Sequence, residues 1–178
     1  MKYALIVLAS LIALGLIVFA IGATLPVNHT ASRQVRVRQP AATVFALIND
    51  PAAFPSWRTK VEKVEILPDQ NGHRVFRETG GDGTILYEVD SAVPNERLVT
   101  RIADKSLPFG GKWTYVLVPD GDSTVLRITE DGEVYNPVFR FASRYVLGHE
   151  ATIDRYLRDV ARHFGDDRAA LTPGPGAG

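Results

Sequence analysis

Twenty consecutive residues, Ala4 to Ala23, contain one polar side chain, Ser10, and this run limits the chain more than any other feature. At about 1.5 Å per helical residue it extends roughly 30 Å, the thickness of a bilayer's hydrocarbon core. A soluble domain of this size has no need of such a core helix. The run therefore reads as an uncleaved transmembrane anchor over 4–23, behind an N-terminal flank, 1–3, and ahead of a short stalk, 24–30, that holds Pro26, Asn28 and His29. A cleaved secretory signal is the rival. Its apolar region is normally about 7–15 residues behind a basic start, whereas here Lys2 alone precedes a longer run, although Ala20, Gly22 and Ala23 suit a peptidase. Lys2 and the terminal amine favour an inside N-terminus, and Arg33, Arg36 and Arg38 weaken that count. The expectation is a single-pass membrane protein with its C-terminal domain extracytoplasmic.

Residues 31–164 have the length of one domain. The chain balances 20 basic against 20 acidic side chains, so no global positive field exists to attract nucleic acid. Cysteine is absent, which excludes disulfides, thiolate chemistry and cysteine-ligated metals. Residues 165–178 end in Thr172-Pro173-Gly174-Pro175-Gly176-Ala177-Gly178, a composition that builds no core, and read as a disordered tail.

Arg33 to Arg38 alternates as a strand, with its arginines on a solvated face. Pro40 opens a short helix through Ile48, and a second brief helical piece runs from Ala52 to Phe54. Six further strands follow, over 61–67, 74–79, 85–93, 98–103, 112–118 and 124–134, separated by turns rich in Gly, Pro, Asn and Asp. Short turns imply antiparallel neighbours. After Asn136-Pro137, an apolar stripe through Phe139, Ala142, Val146, Ile153, Leu157, Val160 and Phe164 predicts one long helix from Val138 to Phe164, able to cover a face of the sheet.

Glu150 falls on that stripe, where a carboxylate against a solid core is costly unless paired. Either a pocket separates helix from sheet there, or a salt bridge or a slight turn of the helix satisfies the charge. Trp113, Tyr115 and Leu117 share one strand face, and Leu126, Ile128 and Glu130 share a face of the next strand. These residues suit either core packing or the wall of an apolar cavity, with Glu130 placed to orient a ligand hydroxyl or act as a general base. Stronger chemistry is not legible. His29, His73, His149 and His163 lack metal-ligand spacing, the serines lie in no nucleophile elbow, and the glycine-rich segments lack the phosphate-loop pattern. No catalytic residue, metal site or cofactor is assigned.

The segments Gln39 to Pro51, Phe54-Pro55-Ser56-Trp57, Gly111 to Tyr115, Ile128 to Val134 and Thr152 to Leu157 resemble the START-like (SRPBCC) superfamily, especially its bacterial polyketide cyclase/dehydrase-like branch. The resemblance implies an α+β helix-grip fold: a curved seven-stranded antiparallel sheet around the long C-terminal helix, two short helices after strand 1, and an apolar cavity between. No catalytic set is shared across the superfamily, so none is carried over.

The resulting expectation is a membrane-tethered domain that binds a lipid or other hydrophobic small molecule in an internal cavity. The residues expected to line or flank it are Trp57, Phe76, Tyr87, Trp113, Tyr115, Leu126, Ile128, Phe141, Tyr145 and Ile153, with Glu130 and Glu150 as polar candidates. Its expected partners are the lipid bilayer and the hydrophobic ligand, with protein partners unspecified. Two alternatives stand beside it: a protein-interaction module of a membrane complex, and a polyketide cyclase/dehydrase-like enzyme using a cavity carboxylate.

Overall fold

In the computed structural model, residues 2–175 are described; Met1 of the flank and residues 176–178 of the tail lie outside the described residues. Helix α1 (Lys2–Thr24) is apolar on every side and exposed along its length except at Val18, which is half-buried, and Gly22, which is buried. There, an added Cβ would fall 1.9 Å from the Pro137 carbonyl oxygen, so glycine alone lets the two backbones approach. Arg140 Nη1 donates to the Leu25 carbonyl at 2.6 Å and fastens the end of α1 to the domain.

The chain then runs through β1 (Asn28–Val37), α2 (Ala41–Ile48), a 3-10 turn (Pro51–Ala53), α3 (Phe54–Trp57) and the strands β2 (Val61–Gln70), β3 (His73–Gly80), β4 (Gly83–Val93), β5 (Arg97–Ile102), β6 (Phe109–Asp120) and β7 (Ser123–Val134). Next come α4 (Pro137–Ala142), a π turn (Ser143–Leu147), α5 (Ala151–His163) and β8 (Leu171–Pro173). Consecutive strands pair antiparallel in the order β2-β3-β4-β5-β6-β7-β1-β8. Asparagines and glycines with positive φ serve the tight turns, as at Asn71 and Gly72.

The curved seven-stranded sheet expected from the sequence is corrected to an open sheet of eight strands, with β2 and β8 as its two edges. The additional strand falls in the stretch read as a tail. Leu171 to Pro173 pairs with Val35 to Arg33 on the free side of β1, and Gly174 donates its N–H to the Ser32 carbonyl at 2.9 Å. Three residues of such composition form a strand only because β1 offers unpaired backbone groups beside them.

The single long C-terminal helix is also corrected. Asn136 Oδ1 caps α4, accepting from the amides of Val138 and Phe139. The helix widens into the π turn and stops at Gly148, whose φ of +78° lies in the left-handed region. Beyond this break α5 buries Ile153, Tyr156, Leu157, Val160 and Ala161, whereas Phe139 and Val146, expected on the same stripe, are exposed.

Alternation puts Val35, Leu126 and Leu117 in one cross-strand row of the inner face, with Ile128 and Tyr115 paired in the next. Arg33 sits opposite Ile128 and so shares the inner face with Val35. Its Nε donates to Asp154 Oδ1 on α5 at 2.7 Å, which corrects its reading as a solvated strand residue. Asp159, also buried, accepts from the amide and hydroxyl of Thr59 and from Arg162. Helix α5 is thereby tied to both ends of the sheet by polar contacts as well as by its apolar face.

Leu126 has no exposed surface and lies within this packed half. Leu126→Ala is expected to lower the unfolding free energy by about 2–5 kcal/mol, measured by urea denaturation.

Candidate functional site

On the β3 to β6 side of the sheet, the inner face and the helices part to leave a cavity of about 600 Å³. Its wall takes Phe76 and Glu78 from β3, Ile85, Tyr87 and Val89 from β4, Leu98, Thr100 and Ile102 from β5, and Trp113 and Tyr115 from β6. Phe54 and Arg58 close it from α3 and the residue after it, and Phe139, Ala142, His149 and Thr152 close it from the interrupted C-terminal helix. Residues two apart in each strand point to the same face, so this wall follows directly from the register. At the rim, Arg155 of α5 reaches Asp82 of the β3–β4 turn at 2.8 Å.

Toward β3 the wall carries a largely buried ion pair. Arg58 Nη1 donates to Glu78 Oε2 at 2.5 Å, and the guanidinium also lies 5.0 Å from the Phe54 ring centre and 4.9 Å from that of Tyr156. Burial pushes the Glu78 carboxyl above its ordinary value, against the pull of Arg58. Burial works against the Arg58 charge as well, but the Glu78 carboxylate opposes it, and the guanidinium stays protonated. Aromatic rings surround the pair: Phe76 stacks on Tyr87 at 5.3 Å, and Tyr156 meets Trp57, Trp113 and Tyr115 at 5.4, 5.7 and 5.6 Å. Burial pushes the Tyr115 hydroxyl up to about 12 and holds Tyr87 and Tyr156 well above the ordinary phenol range, so all three are neutral at physiological pH.

Toward β7 and β1 stands a second polar group. His29 of β1 pairs in register with Gly132, where an added Cβ would fall 2.3 Å from the imidazole; the missing side chain is the space that the ring occupies. His29 Nε2 lies 3.5 Å from Glu130 Oε1. The ring of His149, brought in by the break at Gly148, stacks on His29 with centres 4.0 Å apart. Burial, and then the neighbouring His29, hold the His149 imidazole below the ordinary histidine range; Glu150 and Glu130 oppose this shift and Arg144 adds to it.

Of the residues expected from sequence, Phe76, Tyr87, Trp113, Tyr115 and Glu130 lie together on the cavity wall. Leu126, Ile128 and Ile153 do not: each is fully enclosed in the packed half where α5 meets β1 and β7. Trp57 is buried behind the wall, edge-on to Phe54 and Tyr156. Phe141 and Tyr145 are not on the cavity wall; their ring centres lie 5.1 Å apart, and Tyr145 is 60% exposed. Glu150 is exposed at the start of α5, because the break turns it out of the stripe on which continuous helical spacing had placed it.

Sequence reasoning missed Arg58, Glu78, Thr100, His29 and His149 as wall residues. The ion pair joins α3 to β3, and the histidine pair joins β1 to the helix break, so no local spacing announces either. Gly132, opposite His29 in register, was the one available signal.

The family described as "Polyketide cyclase / dehydrase and lipid transport" matches residues 28–165. No curated protein sequence matches. Among solved structures, a START superfamily protein from Mycobacterium smegmatis is 23% identical with a TM-score of 0.62, covering 76% of this chain and 97% of its own. The Zhui aromatase/cyclase from a Streptomyces species is 20% identical with a TM-score of 0.61, covering 76% and 93%. Norcoclaurine synthase from Thalictrum flavum is 13% identical with a TM-score of 0.61, covering 77% and 86%. These likenesses concern the fold.

They also bear on location. The first two relatives are matched over nearly their whole length by a part of this chain equal in size to the domain, so the domain occurs in them without a counterpart of α1. The single-pass, extracytoplasmic placement expected from the sequence is corrected accordingly. What the described residues contain is one helix near the N-terminus long and apolar enough to cross a membrane, a property that signal sequences share.

Two outcomes follow from this geometry. Glu78→Gln leaves the Arg58 charge buried without its partner and is expected to cost about 3–5 kcal/mol in urea denaturation, whereas Arg58→Met combined with Glu78→Leu recovers most of it. Because the folded state depresses the His149 pKa, unfolded chains bind the extra proton first on acidification. Stability is therefore expected to fall as pH drops through the ordinary histidine range, with His149→Phe removing that component from a series of thermal melts.

Proposed function

From the membership of this chain in the polyketide cyclase/dehydrase and lipid transport family, we propose that it binds a lipid or other hydrophobic small molecule between its sheet and its C-terminal helices. The observation that carries this reading is the cavity of about 600 Å³ with its wall of Phe76, Tyr87, Val89, Leu98 and Trp113. Sites for small organic molecules have this size and this mixture of apolar walls with a few fixed polar groups.

The charges on the wall narrow the ligand class. Arg58 pairs with Glu78 and Arg155 with Asp82, the tyrosines nearby are uncharged, and the remaining cation on the β3 side, Arg74, is engaged by the backbone and side-chain oxygens of Asn49. A ligand bearing a full charge beside the Arg58–Glu78 pair would lose its hydration without gaining a free counterion. The favoured occupant is uncharged, with its bulk against the aromatic rings.

The full-length protein, purified in mild detergent and extracted with organic solvent, is expected to release a neutral apolar molecule detectable by mass spectrometry. Val89→Trp and, independently, Ile102→Trp put an indole into the cavity and are expected to abolish that release while the thermal transition persists. Unchanged release from both folded variants would contradict the reading.

A further inference from the structure

Two imidazoles lie face to face on the cavity wall. His29 of β1 and His149 of the helix break both line the cavity, with ring centres 4.0 Å apart and planes inclined by 23°. Such a stack takes up protons in two unlike steps. The first leaves a cation against a neutral ring, with Glu130 Oε1 of β7 lying 3.5 Å from His29 Nε2 to pair with it. The second sets two cations face to face, where they repel.

The charges around the pair leave that repulsion only partly offset. Glu150 and Glu130 favour a charge on His149, whereas His29 and Arg144 of the π turn oppose it. Lys112 of β6 and Glu133 of β7, the other charges at this end of the wall, are engaged by Asp131 at 3.7 Å and by the Tyr135 hydroxyl at 2.5 Å. The two rings also differ in how firmly they are held. His29 is fixed within β1, in register with Gly132, but His149 belongs to neither helix and lies between Gly148, at φ of +78°, and the start of α5 at Ala151. Gly148, Ala151 and Thr152 line the cavity beside it, so the segment that carries His149 is itself a piece of the wall.

Resting on the ligand-binding reading above, we propose that the His29–His149 stack is an acid-operated latch on the cavity: when both rings are protonated the stack parts, the segment from Gly148 to Glu150 withdraws from the wall, and the apolar ligand is released. With the latch closed, the stack admits one proton; with it open, each ring takes its own. The ligand binds the closed form, so proton uptake and ligand binding oppose each other, and acid weakens binding. An ordinary imidazole pKa of about 6.5 for the open form sets the scale, since full exclusion of the second proton from the closed form weakens binding about tenfold between about pH 7.5 and about pH 5.5.

The test titrates the full-length protein with 2-methoxynaphthalene, a probe without a titratable group, in one nonionic detergent at about pH 7.5 and about pH 5.5, read from the methyl NMR shifts of Val89 and Leu98, with the two histidine side chains also labelled. The wild type is expected to lose about tenfold in affinity at the lower pH, together with the NOE between the two imidazoles, while its thermal transition persists. His149→Phe and, independently, His29→Phe keep an aromatic stack that holds at most one charge. Each is expected to bind at the lower pH within about twofold of its own affinity at the higher one. Wild-type affinity that does not change with pH, an inter-ring NOE intact at the lower pH, or a loss in either folded variant as large as that of the wild type overturns the latch and leaves apolar binding standing. Absence of binding to the wild type at the higher pH overturns the ligand-binding reading, and the latch with it.

Discussion

The C-terminal helix stops at Gly148 and restarts at Ala151, and the interior of the domain depends on that interruption. Beyond it, α5 lays Ile153, Leu157 and Val160 on the β1 and β7 half of the sheet, where Val35, Leu126 and Ile128 leave no space. Before it, α4 turns toward α1 and contributes only Phe139 and Ala142 to the wall opposite β3 to β6. One continuous helix cannot press closely on one half of an open sheet and stand away from the other. A glycine with φ of +78° permits both, and the π turn ahead of it is the kind of helix irregularity often found beside functional sites.

The interruption also sets the chemistry of the wall. It brings His149 onto His29, next to Glu130, and leaves Arg155 at the rim within reach of Asp82. On the far side, the Arg58–Glu78 pair and the ring of Tyr156 give the wall polar anchoring without net charge. The wall is therefore largely apolar, and its cations, Arg58, Arg74, Lys112 and Arg155, are matched in number by Glu78, Asp82, Glu130 and Glu133. Under the proposed ligand-binding reading, that pattern would orient a molecule by its polar groups while affinity came from buried apolar surface.

Much of the architecture was legible because its causes are local. Alternating side chains and turns such as Asn71-Gly72 mark the strands, and Asn136-Pro137 marks the start of α4. The errors arose where the cause is distant. The apolar stripe skips from Val146 to Ile153, with Gly148 and Glu150 in the gap, and a gap of seven residues, two helical turns, fits a continuous helix as well as a broken one, so the pattern alone does not place the stop. β8 is a strand only beside the free edge of β1. Phe76, Tyr87, Trp113, Tyr115 and Glu130 were readable as cavity wall from aromatic residues and an acid on alternating strand positions. The same rule wrongly admitted Leu126 and Ile128, because alternation identifies the inner face and cannot tell its packed half from its open half. Arg58 with Glu78, and His29 with His149, depend on register and helix placement, which no spacing rule reaches.

The central claim is that an apolar ligand sits inside the sheet-and-helix cavity and not along the exposed apolar surface of α1. Isotope-filtered NOE spectroscopy of the full-length, methyl-labelled protein in perdeuterated detergent with 2-methoxynaphthalene addresses it directly. The account expects intermolecular NOEs to the methyl groups of Val89, Leu98 and Thr100, which line the cavity. NOEs confined to the leucine and isoleucine methyls of α1 would contradict it.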